Sequence, residues 1–377
     1  MAKEPCETLP LFFQIITEAA RNTGMDIDEL SEAAARTTEG LEKYATWLDT
    51  LECEGEPVIG KELFEELLKV RELGMTSDEI LRIGHQYLHD ETRRLKELAH
   101  RIDPSATVEE VRNRIRSDNP ATFPEALREY ERAITITRSA VAEKQFASIP
   151  EGERLKVVET PVFLRYIIPV AAYFPPAKFE EDQLGIYFVT PVEGDALGEH
   201  NHAAILNTSV HEAYPGHHLQ NVCANGHPSM VRILSEAPEF SEGWAHYCEE
   251  RMRDYGFDDL RIQFVQTIDV IFRAVRIIVD VTLHTGKMTV AQAVSFIESE
   301  IGMGHQVALA EVKRYTKTPA YPLSYLLGKH LLLQLQKDVA THMKGRYSEK
   351  EFHDILLQGG TLPFPYLREE LTLRGML

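Results

Sequence analysis

Nowhere in the chain do apolar residues run for anything near the roughly 20 positions that a membrane-spanning helix needs. Cysteine is also scarce. The four residues Cys6, Cys53, Cys223 and Cys248 form no Cys-x-x-Cys pair, which excludes a thiolate metal cage and a secreted disulfide framework. The N-terminal MAKEPCETLP places two acids and a proline before the short apolar run LFFQII, so the basic-then-apolar layout of a signal peptide is missing. These absences predict a soluble protein of a reducing compartment, the cytoplasm. Basic residues are in deficit as well, 40 against 59 acids, for a formal charge of -19. Such a surface repels phosphate backbones and anionic lipid, which argues against nucleic acid and membranes as partners. At 377 residues the chain has ample length to bury a core without a metal or disulfide staple.

What is present is helical periodicity. In GKELFEELLKVRELG the residues Leu63, Phe64, Leu67, Leu68 and Val70 recur at three- and four-residue steps, and Gly74 ends the pattern. Thr76 and Glu79 then make a capping box for the next helix, Thr289 and Gln292 for another, and Ser348 with Glu351 for a third that stops at Gly359-Gly360. The fold class is mainly α. One stretch differs: from about Thr160 to Pro191, PVFLRYIIPVAAYF and LGIYFVTP are rich in β-branched and aromatic residues, so a small sheet belongs there. Ile186 to Val189 shortly precede a cluster of histidines, and this strand is either structural or an edge that pairs with an extended peptide. The proline-bearing segment 101–126 suggests a helical region over 1–125 and a catalytic region over 126–377, or one continuous domain across both.

The chemistry resides in SVHEAYPGHHLQ, where His211, Glu212, His217 and His218 crowd together. In the His-Glu-x-x-His arrangement two imidazoles one helical turn apart share Zn²⁺, and the glutamate between them activates water. Here Pro215 occupies the second ligand's place. Pro215 and Gly216 act as an insertion that breaks the turn and lets His217 swing back toward His211. On an unbroken helix His218 would share the His211 face, but about 10 Å along the axis, too far for one metal; it is the fallback ligand. Downstream, SEAPEFSEGWAHYCEERM offers Glu242 among Phe240, Trp244, Ala245 and Tyr247, and a buried carboxylate needs a partner such as a metal. Glu242 is therefore the expected third ligand, with His246 as its alternative. Glu249 and Glu250 read as a solvated charged face or as support for the ligands.

HEAYPGHHLQ followed by SEGWAHYCEE resembles the bacterial domain of unknown function 885 family, whose members are similar to gluzincin metallopeptidases. The resemblance continues through RAVRIIVDVTLHTGKMTVAQAVSFI, RYTKTPAYPLSYLLGK and the terminal GGTLPF, from roughly Gly60 onwards. It implies Zn²⁺ as cofactor, Glu212 as general base, Glu242 as third ligand, and a helical gluzincin-like architecture with a small sheet beside a deep active-site cleft. Family members are typically longer at the N-terminus and often exported, so part of a substrate-covering lid is expected to be absent. Gluzincins commonly stabilise the oxyanion with a tyrosine or histidine from a later helix, which points to Tyr325 first and Tyr315 second. Arg276, Asp280 and His284 follow at four-residue steps on one helix face; Asp280 either orients a ligand histidine or belongs to a structural Arg-Asp pair.

These residues predict a zinc-dependent hydrolase of peptide or peptide-like amide bonds, taking a small peptide or amide as substrate. The alternatives are a metalloenzyme acting on another C–N bond, an iron-dependent oxygenase, and a catalytically silent metal-binding protein. Glu212 weighs against the last two, since neither needs a carboxylate base beside its first ligand. The oligomeric state is left open.

Overall fold

The computed structural model describes every residue except 1–2, 53–54, 56, 166–167, 169 and 193; Cys53 thus lies outside the described residues. Two compact units emerge, one of residues 1–57 with 160–169, the other of residues 58–159 with 170–377. The boundary expected near residue 125 lies within the second unit.

The first unit holds α1 (Glu4–Asn22), α2 (Asp28–Asp49) and the 3₁₀ turn Val162–Leu164. The second holds the histidine motif and the strands before it. Its helices are α3 (Lys61–Val70), α4 (Ser77–Ile102), α5 (Val108–Ser117) and α6 (Phe123–Glu143), then, after the strands, α7 (His202–Glu212), α8 (His217–Asn225), α9 (Met230–Leu234) and α10 (Pro238–Arg251). There follow α11 (Leu260–His284), α12 (Val290–Ile301), α13 (His305–Tyr315), α14 (Ser324–Met343), α15 (Glu349–Gln358) and α16 (Phe364–Leu373). No helix is long and apolar enough to cross a membrane among the described residues.

The local signals act as expected. Thr76 and Glu79 close both bonds of a capping box at α4, as do Thr289 and Gln292 at α12, and Ser348 accepts from the Glu351 N–H at α15. A further box, Thr107 with Glu110, opens α5. The long helix α11 is buried over most of its length because its sequence is apolar nearly all round. Its Val270, Ala274 and Ile277 pack with Phe64, Leu68 and Ile80 of α3 and α4, while Val275, Val279 and Leu283 pack with α12 and α13. Residues on both sides of 101–126 thus share cores with α11.

The sheet has three strands, β1 (Arg154–Glu159), β2 (Ala171–Phe174) and β3 (Leu184–Val189), in the order β1-β3-β2. β1 runs parallel to β3 and β2 antiparallel to it. β3 is therefore central, with both rows of backbone groups already paired. Of the two readings of Ile186 to Val189, the structural strand therefore holds and the edge for an extended peptide does not. β1 also lies upstream of the stretch that composition marked. Along β3 the buried positions alternate, and Tyr187 and Val189 join Tyr130 of α6, Val210 of α7 and Tyr214 in the largest core.

α10 and α14 approach unusually closely. A Cβ added at Gly328 would stand 1.8 Å from the Glu239 carbonyl oxygen, and one at Gly243 only 2.4 Å from the Gly328 carbonyl carbon. Both are backbone atoms, so no flexible side chain can yield. Gly328→Ala is expected to force the helices apart and to cost about 1 to 3 kcal/mol or more, read as a lower urea midpoint. A midpoint unchanged in this variant would mean that the contact tolerates a methyl group and does not set the helix spacing.

Candidate metal centre

α7 delivers His211 and Glu212 in its last turn. Asn201 caps its start, accepting from the Ala204 N–H at 2.9 Å. Residue 217 on a continued helix would stand about 240° round the axis from residue 211, on the wrong face. The helix instead stops at Glu212, the Tyr214–Pro215 peptide is cis, and the chain doubles back before α8 starts at His217. At the reversal a Cβ on Gly216 would lie 1.8 Å from the His211 carbonyl oxygen, so only glycine fits. The Gly216 N–H donates to the Val210 carbonyl at 3.0 Å, and the Trp244 indole N–H of α10 donates to the Pro215 carbonyl at 2.8 Å. The reversal brings the His217 ring to 4.9 Å from the His211 ring, centroid to centroid.

α10 adds the third group. Glu242 Oε2 lies 3.4 Å from His217 Nε2 and 3.9 Å from His211 Nε2. Ligands each about 2.0–2.2 Å from one tetrahedral Zn²⁺ are spaced about 3.4 Å apart, so the donor set fits such an ion in both type and spacing. The side chains of His211, His217 and Glu242 are 10, 13 and 13% exposed, which leaves room for a further ligand from solvent. Burial disfavours the charged forms of Glu242 and His217, yet their mutual attraction wins: Glu242 is held down to about 2, and His217 is raised to about 9 by Glu242.

A second layer fixes the first. His211 Nδ1–H donates to Glu249 Oε1 at 2.7 Å, which commits that nitrogen and turns the Nε2 lone pair toward His217 and Glu242. Glu249 also accepts from Asn207 at 3.2 Å and from His246 Nδ1 at 3.2 Å. Burial opposes its charge, and the His246 and His211 rings outweigh burial and hold the carboxyl well below its usual range. Glu249 is thus no solvated face, and orienting a ligand histidine falls to it. His211, His246 and Glu249 also lie close enough to share an ion, but this set is more deeply buried and engages the His211 nitrogen that Glu249 already holds. His246 loses proton affinity through burial, falling to about 3. Glu250, by contrast, pairs with Lys329 at 2.6 Å.

Several expectations need correction. His218, the fallback, lies outside the converging set, and both its nitrogens are engaged: Nε2 with Glu153 at 2.8 Å and Nδ1 with the Tyr173 hydroxyl at 3.0 Å. Glu153 in turn accepts from Tyr214 and from Arg138, so this buried cluster ties α8 to α6 and the sheet. Tyr315 is fully buried, donating to Glu311 at 2.7 Å and accepting from Arg276 at 3.2 Å, away from the ligands. Asp280 is also remote from them. Its Oδ1 accepts from the Ala320 N–H at 3.2 Å, and burial raises its carboxyl to about 8. Tyr325 does stand at the centre, its ring 6.0 Å from that of His246. Tyr321, four positions earlier and overlooked in the sequence, donates to Glu242 Oε1 at 2.9 Å. Glu212 is half-buried, and its charge is felt at His217, Tyr130, Tyr173 and Tyr187.

Two measurements follow from this layout. Glu249→Gln is expected to weaken Zn²⁺ binding about 10- to 100-fold in competition with a chromophoric chelator, and Asp280→Asn to leave it unchanged; equal affinities in wild type and both variants would show that Glu249 does not orient His211 for the metal. Asp280 also makes stability pH-dependent. Its folded pKa lies above the unfolded value, so between roughly pH 4 and 8 the folded state holds a proton that the unfolded chain has lost, and stability falls as pH rises through that window. Asp280→Asn should flatten that slope, measured as urea midpoints at pH 5 and pH 8. A slope identical to wild type would show that Asp280 is charged when folded.

Two solved structures share the fold. A "putative lipoprotein" from Colwellia psychrerythraea superposes with a TM-score of 0.78 at 22% identity, over 92% of this chain and 61% of that one. A "putative lipoprotein of unknown function" from Shewanella oneidensis gives 0.76 at 21% identity, over 98% of this chain and 73% of that one. The chain thus spans less than two thirds of the Colwellia protein. No curated protein matches. The model of a bacterial protein family of unknown function, DUF885, matches residues 2–371, and with HEAYPGHHLQ and SEGWAHYCEE now placed around one centre, the chain belongs to that family.

Proposed function

We propose that the chain is a zinc-dependent hydrolase of peptide or peptide-like amide bonds, organised like a gluzincin metallopeptidase. The observation that carries this reading is the convergence of His211 Nε2, His217 Nε2 and Glu242 Oε2 beside Glu212, with Glu249 holding His211 in the required orientation. Zn²⁺ on such a set acidifies a water and polarises a carbonyl. The remaining work belongs to the chain's own residues. Glu212 makes no side-chain hydrogen bond or ion pair with another described residue, so its carboxylate is available to take a proton from the attacking water and pass it to the leaving amine. Tyr321 is committed to Glu242. Tyr325 is therefore the phenol available to the developing oxyanion, and burial, with Glu242 adding to it, raises its pKa and keeps it protonated as a donor.

Elemental analysis should find about one zinc per chain, in keeping with a single three-ligand site, and His211→Ala should lose it. Glu212→Gln should keep the zinc while hydrolysis of a mixed peptide library falls about 10²- to 10⁴-fold. Zinc retained by His211→Ala, or full cleavage by Glu212→Gln, would sink the assignment.

A further inference from the structure

The sequence shows no basic cluster near the histidine motif, but folding assembles one from α11. Phe272, Arg273 and Arg276 lie on the stretch of α11 that meets the start of α14. The Arg276 guanidinium carbon is 4.3 Å from the Phe272 ring centroid and 4.9 Å from that of Tyr325; for Arg273 the distances are 5.4 and 5.9 Å. Two guanidiniums therefore flank Tyr325. The Tyr325 ring in turn lies 6.0 Å from those of His246 and Tyr321, and Tyr321 touches Glu242. The pair sits one aromatic layer from the candidate metal ligands.

Ion pairs within the fold engage this cluster only in part. Arg273 donates to Asp269 at 3.0 Å, Arg276 to Glu311 at 3.2 Å, and Arg314 to the same Glu311 oxygen at 2.9 Å. Three guanidiniums share two carboxylates. A donor is left over too: Arg273 Nε is buried without a hydrogen-bond partner among the described residues, while the bonds of Arg276 run through its Nε and Nη2 and leave Nη1 uncommitted. A buried guanidinium N–H without an acceptor is costly, and a planar carboxylate is the acceptor that suits its fork.

We propose that Arg273 and Arg276, gathered around Tyr325, bind the free terminal carboxylate of the substrate, so that the protein removes residues from the C-terminal ends of peptides. The inference rests on the hydrolase reading for the cleavage itself but not for carboxylate binding. The Phe272 and Tyr325 rings hold the two cations in place, and hydrogen bonds from their unused N–H groups select an anionic chain end. An amide at that end offers one acceptor and no charge. An internal peptide segment offers neither the charge nor the planar pair of oxygens. Specificity then arises from the charge of the pair and from the unpaired buried Arg273 Nε, which penalises a ligand that leaves it unmet.

The test measures binding rather than turnover. N-acetyl tripeptides of mixed sequence with free carboxyl ends, and the matching C-terminal amides, are titrated into the zinc-loaded Glu212→Gln protein, which leaves them uncleaved, and into the same protein after chelation. The acids should bind about tenfold or more tightly than the amides, as expected for a charge-assisted pair, and the preference should survive chelation. Arg273→Gln and Arg276→Gln on that background should each bring the ratio toward one, and Arg276→Lys should recover part of it. If Arg276→Gln fails to fold, the Arg273→Gln ratio decides. Acids that bind no better than amides, a preference retained in both glutamine variants, or one that vanishes with the zinc would each overturn the proposal. Because no cleavage is read, a wild-type protein that hydrolyses nothing would count against the hydrolase reading alone.

Discussion

The centre depends on one backbone reversal. His211 and His217 belong to helices that would point them apart if the chain were continuous, and the four residues Ala213 to Gly216 turn it back within the space of a single helical turn. That path requires glycine at 216, since any side chain would overlap the His211 carbonyl. It also requires an anchor. Trp244, fully buried, donates to the Pro215 carbonyl and so ties the reversal to α10, the helix that carries Glu242. That indole bond, with the Ser241 hydroxyl donating to Gln220 of α8 at 3.1 Å, ties the two histidines to the helix that carries Glu242.

Spacing of the opposite side is set by absence of side chains. Gly243 and Gly328 let α10 and α14 approach backbone to backbone, which brings the segment carrying Tyr321 and Tyr325 against Glu242 and His246. A larger residue at either position would move the phenols away from the carboxylate by more than a hydrogen bond can bridge. α11 completes the wall. Its Gln266 donates to the Glu249 backbone carbonyl and its Asp269 accepts from Asn207, so the acid that orients His211 is itself held from two helices.

Much of this was legible in the sequence because it rests on local rules. Capping boxes at Thr76 and Thr289 depend on residues three apart, and the predominance of helix follows from apolar periodicity. The choice of His217 over His218 also followed from local geometry, since Pro215 makes continued helix untenable. What sequence could not rank were partners separated by long stretches of chain. Glu249 lies beside Arg251 and Arg253 in sequence and reads equally as a charged face or as support for the ligands; only its burial against His211 decides for the second. Glu153 immediately precedes a strand whose alternating Arg154, Leu155, Lys156 and Val157 pattern was there to be read, but nothing local links it to His218. Asp280 had the right spacing to support a ligand and sits on the right helix, but it faces Ala320 instead. The arginine pair failed to stand out for the same reason: Arg273 and Arg276 become a cluster only when α14 supplies Tyr325.

A count of hydrogen bonds separates the four glutamates near the centre by role. Glu153 is consumed by His218, Tyr214 and Arg138, which makes it a structural clamp. Glu249 is consumed by His211, His246 and Asn207, which makes it an orienting group. Glu242 gives one oxygen to Tyr321 and presents the other to the two histidines, the arrangement of a ligand whose rotation has been locked. Glu212 is half-buried, as Glu242 is, but among the described residues it alone of the four has its carboxylate uncommitted. A general base must exchange protons with substrate and solvent, so it cannot be tied to a fixed donor. Of the four acids around the three histidines of this motif, one is left at liberty among the described residues, and it is the residue that directly follows His211.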